Sequence, residues 1–267
     1  MGSIRANGVE LYYETHGEGP PLVLVAGLAS DSQSWLPILP GLAAEHTVIV
    51  FDNRGAGRTT PADAEITISL LADDCATLIE GLGHRRAHVL GHSMGGLVAQ
   101  SLAVRHPETV DRLILVGTAA GISKRNERLL RDMASLFEAG ADPAVWFRSL
   151  FAWLFTRRFF EDDAVVEEAV RYALEYPYPQ SPDQFRRQVD AAIRFEPVDA
   201  GRIRAKTLVV TGADDLLLPP DEGRCLAERI PDARFLTISD AAHSVHMEAP
   251  GAFVEVVGQF LSEAFAR

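Results

Sequence analysis

The run Gly91-His92-Ser93-Met94-Gly95-Gly96 has the spacing that turns a serine into a nucleophile. It follows a short apolar run, Ala87–Leu90, and opens a helical pattern over Met94–Arg105. A Gly-x-Ser-x-Gly turn between a strand and a helix holds the serine in a tight, strained conformation with its hydroxyl presented outward. Glycines two residues to either side relieve the collisions that such a turn creates. The helix that begins there aims its N-terminal N–H groups and positive dipole end at the site, where an oxyanion would develop. A phosphate-cradling turn needs a different pattern, Gly-x-Gly-x-x-Gly with an acidic residue ending the next strand: the spacing here differs, no acidic residue ends the next run, Leu113–Val116, and the first strand has no such loop.

Serine needs a base to take its proton, and the base needs an acid to orient it. Two later loops supply candidates. After the apolar run Leu208–Val210 comes Thr211-Gly212-Ala213-Asp214-Asp215-Leu216-Leu217-Leu218-Pro219. After Phe235–Ile238 comes Ser239-Asp240-Ala241-Ala242-His243, with His246 three residues on. His243 follows its strand most directly and is preferred to His246 as the base. Spacing alone leaves Asp214 and Asp215 equal. The order serine, acid, histidine, each on a loop after a strand, is the chain order of this chemistry on an α/β sheet.

The elements that must position these loops are short apolar runs: Leu22–Ala26, Thr47–Phe51, Ala87–Leu90, Leu113–Val116, Leu208–Val210 and Phe235–Ile238. Continuous apolar runs of this length read as strands buried on both faces, hence a parallel sheet. Helical patterns lie between them, over Gln33–Glu45, Ile68–Leu82, Met94–Arg105 and Asp221–Arg229, and a last one over Gly251–Ala266 follows Pro250. The alternation predicts an α/β fold with helices on both faces of a mostly parallel central sheet. An antiparallel hairpin around Asn7-Gly8 is expected at one edge. From about Ile122 to Ala200 no β-type run occurs, and most of the chain's aromatic residues fall there, among them Trp146, Phe147, Phe151, Trp153, Phe155, Phe159 and Phe160. An all-helical insertion is expected, some of whose aromatics line a pocket where it meets the main domain.

The 267 residues and 47% hydrophobic content fit one large globular domain or one with an insertion. A net charge of −12, without a basic stripe, argues against nucleic acid as a partner. Cys75 and Cys225 lack metal-ligand spacing, and Cys75 falls in a helical pattern that buries it. The polar stretch Met1–Glu14 has no signal-peptide core, and the longest apolar run, Pro20–Ala29, is too short to span a bilayer. The expectation is a cytoplasmic protein that engages no membrane.

With these residues in place, the sequence resembles the α/β-hydrolase superfamily nearly from end to end. The resemblance rests on the nucleophile turn, on Asp52-Asn53-Arg54-Gly55-Ala56-Gly57-Arg58, on Gly212-x-x-Asp215-x-x-x-Pro219 and on His243-x-x-x-x-Glu248. It implies Ser93, Asp215 and His243 as catalytic residues, which selects Asp215 over Asp214. It implies the backbone N–H groups of Leu28 and Met94 as the oxyanion hole, structural roles for Asp52, Arg54 and Glu248, and neither cofactor nor metal. It further implies a hydrolase core over 1–121 and 201–267 and a helical cap over 122–200. The loop after the first main strand reads Ala26-Gly27-Leu28 where the family commonly has His-Gly, so its bracing must come from elsewhere. Haloalkane dehalogenases and epoxide hydrolases carry aspartate at the position of Ser93.

Within the family the pattern is similar to 3-oxoadipate enol-lactonases and related bacterial carboxylesterases, which implies a serine hydrolase acting on a small carboxylic ester or lactone through an acyl-enzyme. The alternatives are a carbon–carbon bond hydrolase of aromatic degradation, a cofactor-free haloperoxidase or perhydrolase, and a ligand receptor that retains the triad. Arg125, Arg128, Arg131, Arg148, Arg157 and Arg158 are expected mostly at the surface. A substrate with a free carboxylate would require one of them in the pocket, since an unpaired buried anion is costly.

Overall fold

The computed structural model describes residues 1–263. β1 (Gly2–Ala6) and β2 (Val9–His16) form the expected hairpin. Asn7 and Gly8 turn between them at φ 43° and 87°, the left-handed pair that a two-residue turn requires. β2 then pairs antiparallel with β4 (Thr47–Phe51). β3 (Pro21–Val25), β4, β5 (Ala87–His92), β6 (Val110–Val116), β7 (Lys206–Gly212) and β8 (Ala233–Ile238) run parallel, in the order β1-β2-β4-β3-β5-β6-β7-β8.

The unbroken apolar runs follow from helices on both faces. Val23, Val25, Ile49, Val89 and Leu113 face a layer built with α2 (Ile68–Gly81), α3 (Met94–Arg105) and α8 (Pro220–Ala227). Their neighbours Leu22, Leu24, Val48, Leu90 and Ile114 face α1 (Leu39–Ala43) and α10 (Pro250–Ser262). Because successive strand residues point to opposite faces, a strand covered on both sides must be apolar at every position.

Three expectations are corrected. The helix expected over Gln33–Glu45 is a 3-10 turn, Ser32–Trp35, followed by α1. Pro37 and Pro40 lack an N–H, so neither can donate the bond to the preceding turn that one continuous helix requires, and Pro40 instead sits in the opening turn of α1. The run Phe235–Ile238 is not buried on both faces, since β8 is the edge strand and Leu236 and Thr237 are exposed. The helix expected over Gly251–Ala266 begins one residue early, and residues 264–266 of that expectation lie outside the described residues.

Between β6 and β7 the chain forms α4 (Lys124–Glu138), α5 (Pro143–Leu154), α6 (Asp163–Leu174) and α7 (Pro182–Ile193), with no described strand among them. Their starts are written in the sequence. Ser123, Asp142, Asp162 and Ser181 each accept a hydrogen bond from a first-turn N–H, and Pro143 and Pro182 occupy opening positions that need no donor. Leu130 and Met133 of α4, Trp146 of α5 and Phe185 and Val189 of α7 make a separate small core.

Candidate active site

Ser93 stands where β5 ends and α3 begins, at φ 54°, a left-handed conformation that a non-glycine residue adopts only at a cost. Its backbone is clamped: Ser93 N–H donates to Val116 O at 2.9 Å, and Thr118 Oγ1 donates to Ser93 O at 2.9 Å. The flanking glycines are steric necessities. A Cβ on Gly91 would stand 2.2 Å from Gly95 O, and one on Gly95 would stand 2.1 Å from Val25 O. The turn therefore seats α3 directly against β5 and β3.

His243 lies 2% exposed, on the loop after β8. Its Nδ1 is 2.9 Å from Asp215 Oδ2, so Nδ1 carries the proton, donates to the carboxylate and leaves Nε2 free to accept one. The other Asp215 oxygen accepts from the N–H groups of Leu217 at 2.9 Å and Leu218 at 2.8 Å. Asp214 is exposed, and its backbone N–H donates to Ala241 O at 3.0 Å, which pins the acid loop to the histidine loop. The carboxylate that reaches His243 is thus that of Asp215.

His246 is also buried, but no carboxylate meets it among the described residues. Its ring packs 4.8 Å from Trp35 and 4.7 Å from His92, centroid to centroid, and burial pushes its pKa down to about 3. It is a packed neutral ring. His92 is buried as well, and its Nε2 lies 2.9 Å from His243 O, so its N–H donates to that carbonyl and holds the histidine loop in place. Burial likewise holds His92 well below the ordinary histidine range.

Leu28, Met94, Ser93 and His243 line one cavity. Neither the Leu28 nor the Met94 backbone N–H donates to another protein group among the described residues. The loop that carries Leu28 is braced without the histidine common in the family. Asn53 Nδ2 donates to Ala26 O at 3.0 Å from one side. From the other, Ala29 N–H donates to Gln188 Oε1 at 3.4 Å, and Gln188 Nε2 donates to Arg54 O at 3.1 Å. Asp52 accepts from the N–H groups of Ser32 and Arg58 at 3.0 and 2.8 Å, and Arg54 forms a buried bidentate pair with Asp74. Glu248 accepts from Thr156 N–H and Oγ1, each at 2.8 Å, and from Ala242 N–H at 2.7 Å, tying the His243 loop to the chain just after α5.

Sequence reasoning missed Gln188, and it missed a contact at the cavity wall. Tyr176 donates its hydroxyl to Asp31 Oδ2 at 2.5 Å, and both residues line the cavity. Burial raises the Asp31 carboxyl above the usual carboxylate range and pushes the Tyr176 hydroxyl up as well. The only local signal was that Asp31 stands one residue before a short helical turn, where its other oxygen accepts from Gln33 N–H at 2.9 Å.

The cavity holds about 990 Å³. No lysine or arginine lines it among the described residues. Of the six arginines expected mostly at the surface, five are exposed, and Arg148 is half-buried and paired with Glu167. Also among the described residues, no helix is long and apolar enough to cross a membrane, and no group of three or more His, Cys, Asp and Glu side chains could hold a metal ion.

Fold and site geometry together define a class. Residues 20–250 match the family described as the alpha/beta hydrolase fold, and the chain belongs to that family. The structure is similar to that of the enol-lactonase from Burkholderia xenovorans, with a TM-score of 0.88 and 29% identity over 98% of this chain and 100% of that one. A protein of Mycobacterium tuberculosis that bears the name non-heme bromoperoxidase BpoC is 33% identical over 97% of this chain and 100% of its own length. A protein of Azorhizobium caulinodans that bears the name carbamate hydrolase RutD is 30% identical over 98% and 99%.

Proposed function

We propose that the protein is a serine hydrolase that cleaves a neutral carboxylic ester or lactone through an acyl-enzyme. The observation that carries this reading is the cavity: Ser93 and His243 open into a cavity whose remaining wall is mostly apolar, with no lysine or arginine on it among the described residues. His243 Nε2 takes the Ser93 hydroxyl proton as Oγ attacks the acyl carbonyl, and Asp215 orients the ring and stabilises the imidazolium. The Leu28 and Met94 N–H groups receive the oxyanion, each contributing about 2.7–4 kcal/mol to the transition state. The imidazolium then protonates the leaving alkoxide, so the alcohol departs. Water attacks the acyl-enzyme by the same route and releases the acid. The segment 122–200 serves as the cap over a core formed by 1–121 and 201–267.

A carboxylated enol-lactone suits this cavity poorly. An anion buried there would lose its hydration and gain no cation. The experiment compares steady-state hydrolysis of a dicarboxylic acid dimethyl ester with that of its half-ester, in wild type and in Ser93→Ala. The dimethyl ester should be much the better substrate, and Ser93→Ala should lower kcat by about 10⁵-fold or more. Preference for the half-ester would overturn the neutral substrate. More than a hundredth of wild-type kcat in Ser93→Ala would overturn the nucleophile, and no wild-type turnover of any ester or lactone would point to the receptor reading.

A further inference from the structure

Two neighbouring helices turn different faces to the same cavity. From α5 come Trp146, Phe147, Leu150, Phe151 and Leu154, the i, i+1, i+4, i+5, i+8 spacing of one helical face. Their rings are in mutual contact: Trp146 and Phe147 centroids are 5.1 Å apart, Phe147 and Phe151 5.9 Å, and Phe151 and Phe155 5.5 Å. This is a continuous aromatic wall. From α6 come Ala164, Val165, Glu168, Ala169, Tyr172 and Ala173, again one face, but with alanine at three of the positions and with the Glu168 carboxylate paired to Arg171 in solvent. A segment that only had to pack onto the core would fill this space. Here the alanines leave it open, while Val165 and Tyr172, both lining the cavity, remain 46% and 60% exposed. Apolar surface left uncovered beside a roomy apolar cavity gains most from an apolar ligand.

We infer that the acyl part of the substrate is an uncharged, medium-length alkyl chain laid along the α5 aromatic wall in the space the α6 alanines leave. This rests on the hydrolase reading above and adds the acyl class. A two-carbon acyl group would leave nearly all of this surface uncovered. Each methylene moved from water to such a wall favours binding about three- to fourfold. If that burial is also realised in the transition state, it appears in kcat/KM.

The test measures kcat/KM for p-nitrophenyl acetate, butyrate, hexanoate and octanoate, below their aggregation limits, in wild type and in Ala169→Trp. In the wild type kcat/KM should rise about three- to fourfold per methylene at least as far as hexanoate. In Ala169→Trp, where an indole takes the chain's place, the octanoate-to-acetate ratio should fall at least about tenfold and the optimum should move to a shorter chain. Thermal melting checks that the variant folds, and Ala173→Trp, one turn along, repeats the test if it does not. A flat or falling wild-type profile with turnover that Ser93→Ala abolishes would overturn the inference and leave the hydrolase reading standing. So would an unchanged ratio in a folded tryptophan variant. Absence of Ser93-dependent turnover on every ester would overturn both.

Discussion

The carboxyl edge of the sheet and the helices between β6 and β7 are built to opposite rules. At the sheet edge nearly every group is fixed by a neighbour: Ser93 by strain and two backbone clamps, Asp215 by three hydrogen bonds, His243 by Asp215 and by the His92 donor to its carbonyl. Between β6 and β7, α6 buries only Val166 and Val170 and turns the rest of its length to solvent or to the cavity. Rigid geometry serves bond-making, where an error of an ångström is expensive. A loosely held apolar roof serves recognition of a chain, where area matters more than direction.

The largest effect that could break this contrast is catalytic. Asp215→Asn should lower kcat by about 10⁴-fold, because an amide cannot hold the imidazole in the tautomer with Nε2 free. Asp214→Asn should change kcat by less than about tenfold, since that side chain is exposed and touches neither Ser93 nor His243. Steady-state kinetics on a simple ester separates the two, and the reverse ranking would show that the loop rearranges when substrate binds.

Next comes stability at the turn behind the site. Arg54 and Asp74 are 3% and 1% exposed, with Arg54 Nη2 donating to Asp74 Oδ1 at 2.8 Å. Arg54→Met strands a buried carboxylate and should cost about 3–5 kcal/mol in urea unfolding. The double variant with Asp74→Leu should recover much of that loss, because the pair's desolvation cost disappears along with its attraction. A single-variant cost below about 1 kcal/mol would mean that water reaches this turn.

Acid sensitivity should also map to the sheet region, because segment 122–200 contains no histidine. Burial pushes His246 down to about 3 and His88 to about 4, and holds His92 well below its ordinary range. An unfolded chain takes up protons near 6.5, so between about pH 6.5 and 3 it binds more protons than the native state. Stability is therefore intact above about pH 6.5 and falls as the pH drops, each such histidine contributing up to about 1.4 kcal/mol per pH unit. Thermal melts of His246→Phe at pH 7 and pH 5 should show a shallower fall than wild type. An equal fall would mean that His246 takes up its proton without unfolding.

Much of the sheet edge was legible in the sequence because its constraints are local and severe. Strain at Ser93 demands glycine at 91 and 95, and burial on both faces demands unbroken apolar strands. Pairing Asp215 with His243 needed the resemblance, since Asp214 and Asp215 are chemically the same and only the loop's path exposes one and buries the other. The helical insertion was legible as helices through its caps and prolines. Its contacts were not: Gln188 bracing Ala29, Tyr176 meeting Asp31 and Glu248 holding Thr156 join residues 159, 145 and 92 positions apart, and no local signature at one partner names the other. The β8 edge was misread because a covered strand and an edge strand can carry the same apolar run.

The smallest effect tests the looser half of the contrast. Arg148 of α5 and Glu167 of α6 form an ion pair at 2.9 Å, one of the few polar ties between these helices, with side chains 38% and 63% exposed. At that exposure water screens the attraction and ordering two long side chains offsets most of the rest, so the pair contributes about 1 kcal/mol or less. Arg148→Ala should change unfolding free energy by no more than that, with a smaller change at 1 M salt, where the screening length is about 3 Å. A loss of 3 kcal/mol, comparable to breaking the Arg54 pair, would mean that α6 is held as tightly as the sheet edge. The α5–α6 roof would then have to be as rigid as the site beneath it, and the division between a fixed edge and an adaptable roof would fail.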